Sequence, residues 1–211
     1  MPRPQKTPVA WYSNIFSDST LMKGFKCVAF ENDTDRAVDA VRRNKLGEPL
    51  PEDRFPAELW FEYPDKKIRK VPDIVMAGGF WVVSEELKAV LEQFDLGQTS
   101  FYPTKLYEND RKTAVAGVHY CINFGATKRC FLPEHSPKIN KAGKSVDYYW
   151  ANVYIDHGTI SMSTDALEGA DLWIEENLRR AVFLSDRLVA RLKQEKLSRR
   201  FGLRKCQLIT Q

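Results

Sequence analysis

One pattern occurs twice in this chain, about a hundred residues apart, and constrains its fold more than any other feature. Phe80-Trp81-Val82-Val83-Ser84 leads into a helical pattern through Leu87, Val90, Leu91 and Phe94, then Leu96, Phe101 and Leu106. Later, Ala181-Val182-Phe183-Leu184-Ser185 leads into Leu188, Val189, Leu192, Leu197, Phe201 and Leu203. Ser84 pairs with Ser185, Leu87 with Leu188, Leu91 with Leu192 and Leu96 with Leu197 in one register, which slips by a residue before Phe101 and Phe201. Each copy reads as a strand, a capping serine, an amphipathic helix, a turn and a second strand. No acid, base or nucleophile pair recurs in both copies, so the repeat is architectural.

The remaining pattern mixes strands and helices without regular alternation. It predicts an α+β fold, mostly antiparallel sheet with packed helices, holding two similar strand–helix–strand units near 72–106 and 172–209. Strands are expected at 9–13, 26–31, 59–63, 118–124 and 150–155. A helix over 33–43 would turn Ala37, Val38 and Val41 inward. In the first unit, Ser84 caps a helix over 85–94 and Gly97 ends it. The second helix spans 186–195. The stretches 44–55 and 133–144 read as loops, the latter long and exposed. Asp156-His157-Gly158 reads as a hairpin turn between 150–155 and 159–162. The domain reading is an N-terminal segment, 1–57, followed by the repeat-bearing 58–211.

Hydrophobic residues make up 43% of the chain, enough for a globular core. The net charge of +4 is too mild by itself to announce nucleic-acid binding. The basic N-terminus has no apolar segment behind it. The longest apolar run, 74–83, is broken by Gly78 and Gly79 and falls far short of the roughly 20 residues of a membrane span. A soluble cytoplasmic protein is expected. Cys27, Cys121, Cys130 and Cys206 form no CxxC pair, so buried thiols are expected, with no metal and no cofactor.

Residues that could carry chemistry are few. His119 and Cys121 alternate on one strand and share a face, as a base and a nucleophile would. Their apolar surroundings favour a buried thiol beside a satisfied histidine. Asp156 and His157 lack a third partner, and His135 lies in a polar loop. Gly78-Gly79 has neither dinucleotide-fingerprint nor P-loop spacing and precedes a strand. An enzyme using His119/Cys121 or Asp156/His157 remains the alternative to a binding protein.

Charge segregates late in the chain. Asp165, Glu168, Asp171, Glu175 and Glu176 fall in a window, 163–177, without a basic residue. Ten Lys and Arg follow in 178–205, against Asp186 and Glu195. A solvated helix face beside an acidic loop explains this; the functional readings are an acidic patch for a basic partner or a basic stripe for nucleic acid. Phe201 is the basic run's only aromatic after Phe183, which argues against the stripe.

Pro72-Asp73-Ile74, Gly78-Gly79-Phe80-Trp81-Val82-Val83-Ser84, Leu172-Trp173 and Val182-Phe183-Leu184-Ser185-Asp186, with Leu192-Lys193 and Phe201, resemble immunity protein family eleven of bacterial polymorphic toxin systems, formerly a domain of unknown function. The resemblance covers about 58–209. Its motif residues, among them Gly78, Gly79, Trp81, Ser84, Trp173 and Ser185, are architectural. Membership implies an antitoxin rather than an enzyme, one that binds a cognate toxin. A cytoplasmic immunity protein implies a toxin acting there, and nucleases are the commonest of these. A nuclease's basic cleft would favour Asp165, Glu168 and Asp171 as docking residues, with no direct nucleic-acid contact expected.

Overall fold

The computed structural model describes residues 9–66, 68, 70–151 and 155–210. The chain forms two compact units. One is continuous, residues 18–127, and the other is split, joining 1–17 to 128–211.

The continuous unit is a mixed sheet in the order Met22–Lys23, Ile74–Ala77, Phe80–Ser84, His119–Asn123, Ser100–Tyr107, Glu58–Phe61, Phe25–Lys26. The two ends of that order are successive halves of one segment, separated by Gly24, so the sheet closes on itself and leaves few open edges. Gly24 permits the close approach. A Cβ there would collide with the side chains of Glu62 and Tyr63, and the Gly24 carbonyl accepts the Glu62 amide at 2.8 Å. Gly78 and Gly79, at φ 54° and 85°, supply the positive angles a two-residue hairpin turn needs. The core gathers Leu59, Val75, Phe80, Val82, Leu106 and Cys121.

Two expectations change here. The segment 26–31 is a strand only as far as Lys26; Val28–Asn32 is helical, which brings Phe30 edge-on to Phe80, ring centroids 6.2 Å apart. In the helix Thr34–Asn44 the buried positions are Ala37, Ala40 and Asn44, while Val38 is 51% exposed. Its inward stripe is small and ends in a polar residue for a reason. Asn44 donates to the Ile122 carbonyl and accepts the Phe124 amide, and Asn123 accepts the Leu50 amide, tying the loop 45–55 to the sheet.

The split unit is a sheet in the order Arg204–Lys205, Ala10–Ser13, Val182–Ser185, Leu172–Glu175, Thr127–Lys128. Trp173 lies opposite Phe183, and Phe183 opposite Tyr12, so three large rings fill adjacent strands at 5.7 and 5.9 Å. Asp156-His157-Gly158 turns the chain, and Ser161–Ser163 beyond it pairs in parallel with Gln207–Ile209; much of the expected hairpin's first arm, 152–154, lies outside the described residues. The backbone of Lys205 holds the turn: its amide donates to His157 Nδ1 and its carbonyl accepts the Gly158 amide. Of the strand expected at 150–155, Tyr149–Trp150 is formed, and 152–154 lie outside the described residues. The segment 133–144 is not wholly exposed. Ser136 and Ile139 are buried, and Ser136 Oγ bridges the Leu132 carbonyl and the Ser161 amide.

Each unit contains one copy of the repeat, and the copies agree in backbone. The strand ending at Ser84 pairs antiparallel with Ile74–Ala77, and the strand ending at Ser185 with Leu172–Glu175. Ser84 Oγ accepts the Leu87 amide and Ser185 Oγ the Leu188 amide, both at 3.2 Å, capping the helices Glu85–Leu91 and Asp186–Gln194. Beyond the first helix the expected details shift. It ends at Leu91, and Gly97, at φ 59°, belongs to a later turn packed on Ala126. The strand after each helix pairs Tyr102 with Cys121 and Arg204 with Tyr12. Tyr102 therefore matches Arg204, and the register slips in the direction opposite to the one that would align Phe101 with Phe201. Phe201 is buried just after the 3-10 turn Ser198–Arg200.

Candidate interaction surface

The candidate nucleophile and base do share a face, and both are buried. Cys121 is fully buried with its thiol donating to the Pro56 carbonyl at 3.9 Å, and burial holds its pKa well above the ordinary thiol value. His119 is pushed below the usual imidazole range, chiefly by burial, against the pull of Glu86 and the Gly117 carbonyl. A thiol without a stabilised thiolate is a packing group. His157 serves as the acceptor for Lys205, and His135 is exposed. All four cysteines are free and buried, and no group of His, Cys, Asp and Glu among the described residues could hold a metal ion. No helix among them is long and apolar enough to cross a membrane.

The acidic window divides into surface and interior. Asp165 and Glu168 are exposed on the 3-10 turn Thr164–Leu167 and its C-cap, with Leu167 exposed between them. The turn is anchored from beneath by buried Ala166 and by Lys128, whose ammonium donates to the Ala166 and Glu168 carbonyls and lies 3.9 Å over the Trp173 ring. Gly169, at φ 67°, has nothing within 4 Å of where a Cβ would stand. The result is a projecting turn with an apolar side chain flanked by two carboxylates.

Asp171 does a different job. Its side chain is 1% exposed, accepts the Ser185 hydroxyl, and takes both Arg187 Nε and Nη2, at 2.5 and 2.7 Å. It holds the helix start in place and offers no free carboxylate to a partner.

Glu175 is also interior. One oxygen accepts the Cys130 amide at 2.9 Å and the other has no hydrogen-bond partner among the described residues. Burial pushes its pKa up to about 7, against the opposing pull of the Cys130 and Phe131 amides.

Gly78, Gly79, Trp81, Ser84, Trp173 and Ser185 all sit in the repeat frame: the glycines at its hairpin turn, the tryptophans in its core and the serines at its caps. Gly78 and Gly79 also border a cleft of about 690 Å³ in the continuous unit, with Met22, Tyr63, Lys23, Lys26, Glu31 and Glu62 around it. The split unit's outward aromatic positions, Tyr148 and Trp150, were passed over in sequence because strand pattern alone does not separate a core ring from a surface one.

With this geometry in view, the profile of the immunity protein family (Imm11) matches residues 16–207. The chain belongs to the Imm11 immunity protein family. The match takes in the whole continuous unit and most of the split one, leaving out the strand Ala10–Ser13, and it reaches back well before residue 58. No curated protein matches the chain. An Imm11 protein is an immunity protein, so its surface matters as a place where another protein is bound. Charge is unevenly shared across that surface. The split unit carries 17 Lys and Arg against 10 Asp and Glu, a net +7, and the continuous unit carries 15 against 18, a net −3.

Proposed function

We propose that this Imm11 protein is an antitoxin that binds its cognate toxin in the cytoplasm and blocks it by covering the active or substrate-binding surface, acting by binding and not by catalysis. The family match over 16–207 carries this reading. The toxin is a nuclease of a polymorphic toxin system, and the projecting turn Asp165-Ala166-Leu167-Glu168 supports that choice. Two carboxylates beside an exposed leucine suit a cleft built to hold phosphates, which carries positive charge at its mouth and apolar walls between.

The test co-expresses the neighbouring toxin gene with wild-type protein and with Asp165→Lys/Glu168→Lys. Asp171 is left intact, because removing it would strand Arg187 and Ser185 and confuse misfolding with lost contact. The double variant should keep its fold and bind the toxin at least about tenfold more weakly, mostly through a slower, less salt-sensitive association. Unchanged affinity and protection would remove the acidic turn from the mechanism. A wild-type protein that neither binds nor protects would remove the antitoxin reading for that pair.

A further inference from the structure

The short sheet Asn140–Lys141, Tyr149–Trp150, Leu178–Arg179 has two dissimilar faces. Tyr149, itself half-buried, meets buried Phe131 edge-on at 5.4 Å and lies in register with fully buried Leu178, so this row packs on the core side. Strand alternation sends the neighbours Tyr148 and Trp150 the other way. There they pack edge to face at 5.3 Å, and both stay half-buried. Arg179, in register with Trp150, places its guanidinium 5.1 Å from the Tyr148 ring centre, and Arg180 places its own 4.4 Å from that of Trp150. Arg180 is held at φ 63°, a conformation costly for any residue but glycine.

Neither arginine is held by a carboxylate. Arg36, Arg42, Arg43, Arg54, Arg129, Arg187 and Arg191 all form ion pairs, whereas Arg179 and Arg180, like Arg111, Arg199, Arg200 and Arg204, have no ion-pair partner among the described residues. The adjacent rings they cover set Arg179 and Arg180 apart from Arg199 and Arg200. Asp147, the nearest acid in sequence to the rings, is taken by Arg129 at 3.4 Å. Lys141 and Lys144 are exposed on the same segment. A guanidinium over a ring has its flat face satisfied and its orientation narrowed, while its N–H fork stays available for a carboxylate. Clustered Trp, Tyr and Arg are also the side chains that most often dominate a protein interface.

We propose that this face docks a carboxylate-bearing surface of the toxin, with the forks of Arg179 and Arg180 pairing to acidic side chains over a Tyr148–Trp150 platform. The proposal rests on the antitoxin reading and adds a contact opposite in charge to the acidic turn. A protein partner is favoured over nucleic acid because the rings are already covered by the arginines and by each other, which leaves no open platform for stacking bases.

The experiment measures affinity for the purified, catalytically disabled product of the neighbouring toxin gene. Arg179→Gln/Arg180→Gln should bind about 30-fold more weakly or worse, and Arg179→Lys/Arg180→Lys should fall between it and wild type, because the charge stays and the fork is lost. Arg199→Gln/Arg200→Gln, a control at two other exposed arginines, should stay within about threefold of wild type. Circular dichroism and melting temperature establish that each variant is folded; should the glutamine pair fail to fold, the lysine pair alone decides. Toxin binding by the folded glutamine pair, or in its place the lysine pair, equal to wild type would overturn the proposal. So would wild-type binding to single-stranded oligothymidine at about 150 mM salt that the glutamine pair loses while it keeps toxin affinity. A wild type that does not bind the toxin overturns the antitoxin reading for the pair, and the docking face falls with it.

Discussion

The two copies of the repeat share a frame and differ in what fills it. In each, the aspartate before the inner hairpin strand, Asp73 or Asp171, gives its carbonyl to the serine amide and its carboxylate to the serine hydroxyl. The acidic residue after the serine, Glu85 or Asp186, accepts a hydrogen bond from an aromatic on the neighbouring strand, Tyr120 or Trp11. That neighbouring strand is where connectivity parts. In the continuous unit it is His119–Asn123, which follows the helix in sequence; in the split unit it is Ala10–Ser13, near the start of the chain. One three-dimensional arrangement is thus built from two chain orders. Backbone pairing and capping are held in common because they satisfy groups every such unit must satisfy. The side chains around them are free to diverge.

Core truncation tests the shared frame most severely. Leu91 and Leu192 occupy matching helix positions and are both buried. Leu91→Ala and Leu192→Ala should each cost about 2–5 kcal/mol in urea titration, through lost burial and a residual cavity. Their neighbours differ at two points that offset each other: buried Val189 stands where the continuous unit has half-buried Lys88, and buried Val90 stands where the split unit has half-buried Arg191. The two losses should therefore be of similar size. A loss below about 1 kcal/mol at either leucine would break the equivalence of the two helices.

Glu175 sharpens the contrast, because counting along the paired hairpin strands puts Ala77 at its place in the continuous unit. Its pKa rises on folding, from the ordinary 4.5 to about 7. Between those values the unfolded chain ionises while the folded chain holds its proton, so stability falls as pH rises and levels off above about 7. The span corresponds to about 3 kcal/mol. Glu176, Cys130 and Cys206 are the titratable neighbours that enter this balance, and the two thiols stay protonated throughout because their own pKa values are raised. Glu175→Gln should flatten the stability profile between about pH 5 and pH 8 without lowering stability at pH 8. A profile that keeps its slope in the variant would place the titration elsewhere.

The frame was legible in the sequence because it is periodic. A serine before a three-to-four-residue apolar spacing marks a capped helix wherever it occurs, and both caps stand where the pattern put them. Features set by distant chain were not legible. Lys26 to Glu31 carries strand-like residues, yet Phe30 folds back as a helix to reach Phe80, fifty positions away. Asp171 reads like its acidic neighbours Asp165 and Glu168, and only the approach of Arg187 and Ser185 takes it out of the surface. The Tyr148–Trp150 face was hidden for a similar reason, since its inner and outer rows are told apart by Phe131 and Leu178 from other segments.

The smallest effect is the most direct test of the shared cap. Ser84→Ala removes an acceptor from the Leu87 amide and should cost about 1 kcal/mol. Ser185→Ala removes the same acceptor from Leu188, and it also takes a donor from Asp171, whose carboxylate is almost wholly buried. Asp73 is half-buried and accepts its serine at the longer distance of 3.3 Å, so it can turn to water when the hydroxyl is lost. Asp171 cannot, although Arg187 still pairs with it. Ser185→Ala should accordingly exceed Ser84→Ala by a few tenths to about 1 kcal/mol, the cost of a charged group one hydrogen bond short. The measurement is a pair of urea titrations repeated in the Arg187→Ala background. There the gap should widen, because the hydroxyl is then one of fewer donors left to the buried carboxylate. Equal losses in both backgrounds would mean that the two serines act as caps alone and that Asp171 depends on neither.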